Sequence, residues 1–266
     1  MLRTTFLLSA LLLAGAAQAE DGLSLGIGAD YSTGDYGTDI DTEIWSVPFT
    51  ARLVAGDWTF KASLPWLQVS GNPNVLPGLG GVTNLNPIGR GRPGIGAPPP
   101  PEQEQARGSA SGIGDLALAA TWSVPTGGAL GVDLTANAKI ATADEDEGLG
   151  TGANDYGVAV DLYRTAGATT WFGGAGYTWL GSSQFIDVDA VANVNFGFSH
   201  AVGTGNLGLM YDWREAASSA FDDRSELTAF YGFPAGPSGR FQVYALRGLS
   251  DGSPEWGAGV SYTHEF

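Results

Sequence analysis

The side chains in this sequence that could do chemistry are few, and their types set narrow limits. Among 266 residues there are two histidines, His200 and His264, and no cysteine. That excludes a thiolate nucleophile, a disulfide framework and a cysteine-ligated metal. A serine–histidine hydrolase needs both side chains within hydrogen-bond reach, with a third polar group behind the base. Ser199 adjoins His200, but neighbours on an extended strand point to opposite faces, so the two do not read as a dyad. No catalytic residue is assigned. Residues 89–94 and 203–208 both spell G-x-G-x-x-G. A dinucleotide site needs a strand before this motif and a helix after it. The first copy runs into a proline tract and the second into an alternating segment, so both read as loop or turn glycines. The acidic run Asp144-Glu145-Asp146-Glu147 offers hard oxygen ligands but lacks the register of a calcium loop, and reads as solvated charge. No metal and no cofactor are expected.

What remains is a set of charges that recur at fixed parity within alternating segments: Lys61, Asp115, Asp133, Lys139, Asp161, Asp212 and Arg214. A second set, Arg90, Arg92 and Arg107, sits in a stretch at 70–111 rich in proline and glycine. The first set is expected to line a polar interior, where charges either mark a solute pathway or pair with one another to offset the cost of burial. The second is a candidate constriction if that loop folds inward. Its alternative is a mobile surface loop stiffened by its proline run.

The elements that must position these charges are strands. Leu23, Leu25, Ile27, Ala29 and Tyr31 alternate with Ser24, Gly26, Gly28 and Asp30, and the same period of two returns down the chain. It is plain in Trp58, Phe60, Ala62, Leu64 and Trp66, in Leu130 through Ile140, and in Trp256 through Phe266. The count comes to about twelve strands, with ten and fourteen as the neighbouring even numbers. Segments of this length exceed the five or six residues usual in a soluble sandwich and suit tilted strands that cross a membrane. The expected fold is all-β: a transmembrane up-and-down antiparallel β-barrel, apolar toward lipid and polar within.

Tryptophan spacing gives an independent reason. Trp58 and Trp66 are eight apart, as are Trp171 and Trp179, while Trp256 and Phe266 are ten apart. At the strand rise and barrel tilt these separations come to roughly 20–25 Å along the membrane normal, the spacing of two aromatic girdles. Connections alternate as well. Long, mostly acidic ones near 32–42, 70–111 and 142–153 take turns with short ones rich in glycine and proline near 55–57, 125–129 and 201–205.

Composition agrees. Glycine numbers 41, charged residues are only 15% and mean hydropathy is +0.01. A chain with half its strand residues toward lipid and half toward a polar interior averages to zero in this way. Residues 1–19 read as a cleaved signal peptide, with Arg3, an apolar run and Ala17-Gln18-Ala19 before Glu20. The expected barrel domain is then 20–266, in the outer membrane of a Gram-negative envelope. Loss of the leader leaves 11 basic and 28 acidic residues, a net charge of −17. That sign disfavours nucleic acid. It also leads to an expected mild preference for cations in a lumen. Outer-membrane lipid, lipopolysaccharide and small solutes are the expected partners. The terminal Phe266, with Tyr262 and Val260 at matching parity, looks like the C-terminal aromatic signal read by barrel insertion machinery.

Ser111-Gly-Ile-Gly-Asp-Leu-Ala-Leu118, then Lys139-Ile-Ala-Thr-Ala-Asp144 and Leu149-Gly-Thr-Gly-Ala-Asn-Asp-Tyr156, resemble the outer-membrane transporter-like family named after the meta pathway of phenol degradation. Ala141 stands where that family usually has proline. The resemblance covers about 111–165 and implies a monomeric barrel for small, often hydrophobic or aromatic compounds. It assigns no substrate residue. The expected function is therefore passive passage of small solutes through a porin-like barrel. The alternatives are a non-transporting barrel that serves as receptor or scaffold and, more remotely, a barrel lipid hydrolase.

Overall fold

The computed structural model describes residues 21–36, 40–71, 75–78, 81–84, 108–182, 190–217 and 222–266. The expected signal peptide and Arg90, Arg92 and Arg107 lie outside the described residues, as does most of the 70–111 loop.

No helix occurs among the described residues. Twelve antiparallel staves form one closed sheet. Eleven are single strands: β1 (Gly22–Gly34), β2 (Thr42–Ala55), β3 (Trp58–Gly71), β8 (Leu130–Ile140), β9 (Asp155–Ala166), β10 (Thr169–Trp179), β11 (Val191–Val202), β12 (Gly205–Arg214), β13 (Arg224–Pro234), β14 (Gly239–Gly248) and β15 (Trp256–Glu265). The twelfth is made of two pieces, β6 (Gly108–Ile113) and β7 (Leu116–Val124), both paired with β3. Every stave pairs with its chain neighbours, and β1 pairs with β15 to close the ring. A small separate hairpin, β4 (Val75–Gly78) and β5 (Gly81–Asn84), lies in the connection after β3. The loop expected at 70–111 is therefore shorter at both ends. Ser109, Ala110 and Ser111 belong to β6, where small residues conceal the alternation that marks the other staves.

The burial pattern is inverted relative to a soluble protein. Leu25, Phe49, Tyr156, Val158, Trp171 and Phe196 are exposed, whereas Lys139 and Glu226 are each 1% exposed. Large contiguous apolar surface in a monomer marks a surface meant for something other than water. Here it girdles the barrel, because lipid demands apolar side chains outside while ring closure leaves the sheet no free edge. The short turns tighten on glycines held at positive φ, Gly56 at 57° and Gly203 at 61° among them.

One sector of the wall departs from regular pairing. Pro48 on β2 is directly opposite Pro65 on β3, and both are fully buried on the inner face. Proline has no N–H to give a ladder. On one side the β1–β2 register passes from Ile27↔Phe49 to Asp30↔Ser46. On the other, β3 changes partner from β7 to β6 at Gly114, whose N–H reaches Pro65 O at 2.8 Å. A Cβ on Gly114 would stand 2.8 Å from the Pro65 ring, so the two backbones approach this closely only with glycine there.

Candidate functional site

The inner wall is where sequence-expected charges and unexpected apolar groups meet, and it divides into two levels between the short-turn end and the long-loop end.

At the long-loop end Lys139, on β8, is clamped between two carboxylates. Its Nζ is 3.3 Å from Asp115 Oδ2 and 3.1 Å from Asp155 Oδ2, and it donates to Thr151 Oγ1. The other oxygens of these carboxylates hold loops. Asp115 Oδ1 accepts from the N–H groups of Thr142 and Ala143 at 3.1 Å, and Asp155 Oδ1 accepts from Gly181 N–H at 2.9 Å. Asp115 and Lys139 are thus buried in a rim network rather than left facing an open lumen. Arg224 forms a second buried pair with Glu226, at 3.0 Å. Arg214 is directly opposite Arg224, and Asp212 directly opposite Glu226, so two like-charged pairs stack as one alternating quartet. Like charges directly opposed repel. The stacking lets each cation sit beside a carboxylate.

Beside these charges an apolar cluster fills the same end: Ile44, Leu67 and Val69 from the wall, Tyr36, Val75 and Leu149 from the loops. Tyr36 is 3% exposed and holds φ at 52°, a conformation a bulky side chain adopts only when its surroundings impose it. This cap was not foreseen. Ile44, Leu67 and Val69 stand at the inner parity of β2 and β3, and that parity was the only signal for them.

Nearer the short-turn end lies a waist. Arg52 and Lys61 are directly opposed on β2 and β3, and Asp133 and Asp161 are directly opposed on β8 and β9. Lys61 lies within electrostatic reach of Arg52, Asp133 and Asp161, and Arg52 within reach of Glu265. Asp133 takes a hydrogen bond from Ser123, and Asp161 takes one from Asn195. The protein leaves Asp133 Oδ1 without a hydrogen-bond partner. Arg52 was missed in the sequence, although it alternates with Ala51 and Leu53 as Lys61 does with its neighbours.

The rest of the waist is aromatic. Tyr163, Phe172, Phe230 and Tyr244 all point inward, with Met210 between them. Each ring lies across a glycine on the adjacent strand: Tyr163 opposite Gly131, Phe172 opposite Gly197, Phe230 opposite Gly208 and Tyr244 opposite Gly259. The missing side chain makes the room. A Cβ on Gly131 would fall 2.1 Å from the Tyr163 ring, and one on Gly208 would fall 2.2 Å from Phe230. Rings that cover cross-strand glycines in this way pin register and lie flat along a wall. Tyr244 is further fixed by donating to Asp30 Oδ1 at 2.7 Å.

The outward aromatics group at the two ends of the wall. Trp58 stacks near Phe60 and Trp122, at 6.1 and 6.4 Å, and Trp171 packs against Phe198 at 5.4 Å, toward the short turns. Trp179 meets Tyr177 at 5.2 Å, and Tyr31 bridges Trp45 and Trp256, toward the long loops. Trp66 is half-buried. Phe266 is 74% exposed and lies 4.7 Å from His264, which also meets Tyr262 OH at 3.3 Å. His200 is exposed and shares a hydrogen bond with Thr169 Oγ1 at 2.8 Å, whereas Ser199 is 2% exposed on the opposite face. Among the described residues no group of histidine and carboxylate side chains is arranged to hold a metal ion.

An outer membrane channel from Pseudomonas putida F1 superposes on 95% of the chain and 98% of its own length, with a TM-score of 0.66 and 13% identity. The fold is that of an outer-membrane β-barrel. The translocator domain of the autotransporter NalP from Neisseria meningitidis, at TM-score 0.51 and 12% identity, covers 99% of the chain and 96% of the domain. The β domain of the Bordetella autotransporter BrkA, at 0.50 and 11%, covers 92% and 99%. No protein-family model matches the chain, and no curated protein sequence does.

Proposed function

We propose that this barrel is a passive outer-membrane channel for small solutes, hydrophobic or aromatic ones among them. The observation that carries the reading is the waist, where an inner wall of flattened aromatic rings runs beside a half-exposed set of opposite charges. A barrel that served only as a scaffold would gain most from a uniformly paired or uniformly apolar interior. The similarity to a barrel described as an outer membrane channel supports the reading, as does the resemblance to the transporter-like family noted above. In this account the short turns face the periplasm, the long loops face outward and residues 1–19 are an export signal. The Phe266 end is offered to the insertion machinery, and the aromatic belts rest at the borders of lipid and lipopolysaccharide.

The test is liposome swelling with purified barrel and a panel of aromatic, sugar and amino-acid solutes. Entry of small solutes in proportion to their gradient, without an energy source, is the expected result. A second reading, a non-transporting receptor or scaffold, is favoured by the apolar cluster in which Tyr36, Val75 and Leu149 pack on the wall at the long-loop end. It predicts no flux for any solute in the panel, even from correctly inserted protein.

A further inference from the structure

The waist has a chemical grain more specific than aromatic. On β8, β9 and β10 the carboxylates Asp133 and Asp161 lie directly beside two inward rings. Asp133 is opposite Asp161, Tyr163 follows two places along the same face of β9, and Phe172 is opposite Tyr163. Facing them across β7 are Arg52 and Lys61, directly opposed to each other. One stretch of lumen therefore offers a flat apolar surface, a pair of hydrogen-bond acceptors and a pair of cations.

We propose that the waist is a binding site for small aromatic carboxylates that carry a ring hydroxyl. The proposal rests on the channel reading above and deepens it. The ring lies on Tyr163 and Phe172, the carboxylate bridges Arg52 and Lys61, and the hydroxyl donates to Asp133 or Asp161. Two features choose a carboxylate over an ammonium group as the charged end. The aspartates already accept hydrogen bonds from Ser123 and Asn195, whereas the directly opposed Arg52 and Lys61 place two cationic donors where one carboxylate can bridge them. A hydroxyl then meets the remaining acceptor capacity of the two aspartates without bringing a second charge.

The experiment measures initial entry rates into proteoliposomes with a lipopolysaccharide outer leaflet, using 4-hydroxybenzoate, benzyl alcohol and tyramine. Wild-type barrel should admit 4-hydroxybenzoate fastest. Lys61→Met or Arg52→Met should slow it about tenfold more than it slows benzyl alcohol, the effect of losing one charge-assisted hydrogen bond. Barrel closure is checked for each variant by heat-modifiable gel mobility. Should neither variant fold, saturable block of the wild-type ion current by millimolar 4-hydroxybenzoate, absent with benzyl alcohol, supplies the same answer. If benzyl alcohol enters while 4-hydroxybenzoate is no faster, or if tyramine is fastest, the proposal is overturned and the channel reading stands. If none of the three enters, both fail.

Discussion

Lys139 Nζ stands 3.1 Å from Asp155 Oδ2, on the directly opposed position of the neighbouring strand. Removing a cation from between two buried carboxylates leaves their repulsion uncompensated. Lys139→Met should therefore destabilise the barrel by about 3–5 kcal/mol. The urea midpoint of the protein in detergent micelles reads this loss. Adding Asp115→Asn and Asp155→Asn should recover most of it, because asparagine keeps the oxygen that accepts from Thr142, Ala143 and Gly181 while removing the charge.

The aromatic–glycine pairs make a prediction about shape. In Gly131→Ala the new methyl would stand 2.1 Å from the Tyr163 ring, so the ring must swing off the wall. The cost should be about 1–3 kcal/mol, as for other overpacked sites. The double variant with Tyr163→Leu should regain stability, and an unchanged melting temperature in Gly131→Ala alone would contradict the arrangement.

The apolar cap should act as a barrier. Leu149 is 2% exposed between wall and loops, and a carboxylate there has no partner to offset its burial. Leu149→Asp is expected to displace the loop and raise single-channel conductance in planar bilayers. Placing the same charge on the lipid face, as in Leu118→Asp, should instead lower the yield of membrane-inserted barrel.

Ion selectivity follows from the waist. Its two cations and two carboxylates balance, so the acidic remainder of the chain sets a mild cation preference. Lys61→Met shifts that balance toward the aspartates. The reversal potential in a salt gradient should move further toward cation selectivity, and a move toward anions would show that Lys61 does not face the conducting path.

The outer face was legible in the sequence because lipid imposes one rule along every strand. Leu23 to Tyr31 or Trp256 to Phe266 can be read by parity alone. The inner face obeys no single rule. Lys61 and Asp133 declare themselves as charges, yet Leu67, Val69, Phe172 and Phe230 share their parity and are apolar, since a narrow lumen can be filled by either kind of group. Partnership was less legible still. Asp115, Lys139 and Asp155 converge only once β7, β8 and β9 are paired in register, and the glycines at 131, 197, 208 and 259 gain meaning only beside the rings that cover them.

The central claim, passive passage of small aromatic solutes through the lumen, is tested most directly by one rate. Benzyl alcohol entry into vesicles with a lipopolysaccharide outer leaflet should rise in proportion to barrel density and to the gradient, equally in either direction. A rate equal to that of protein-free vesicles at every density, from barrels shown to be folded and inserted, would contradict it.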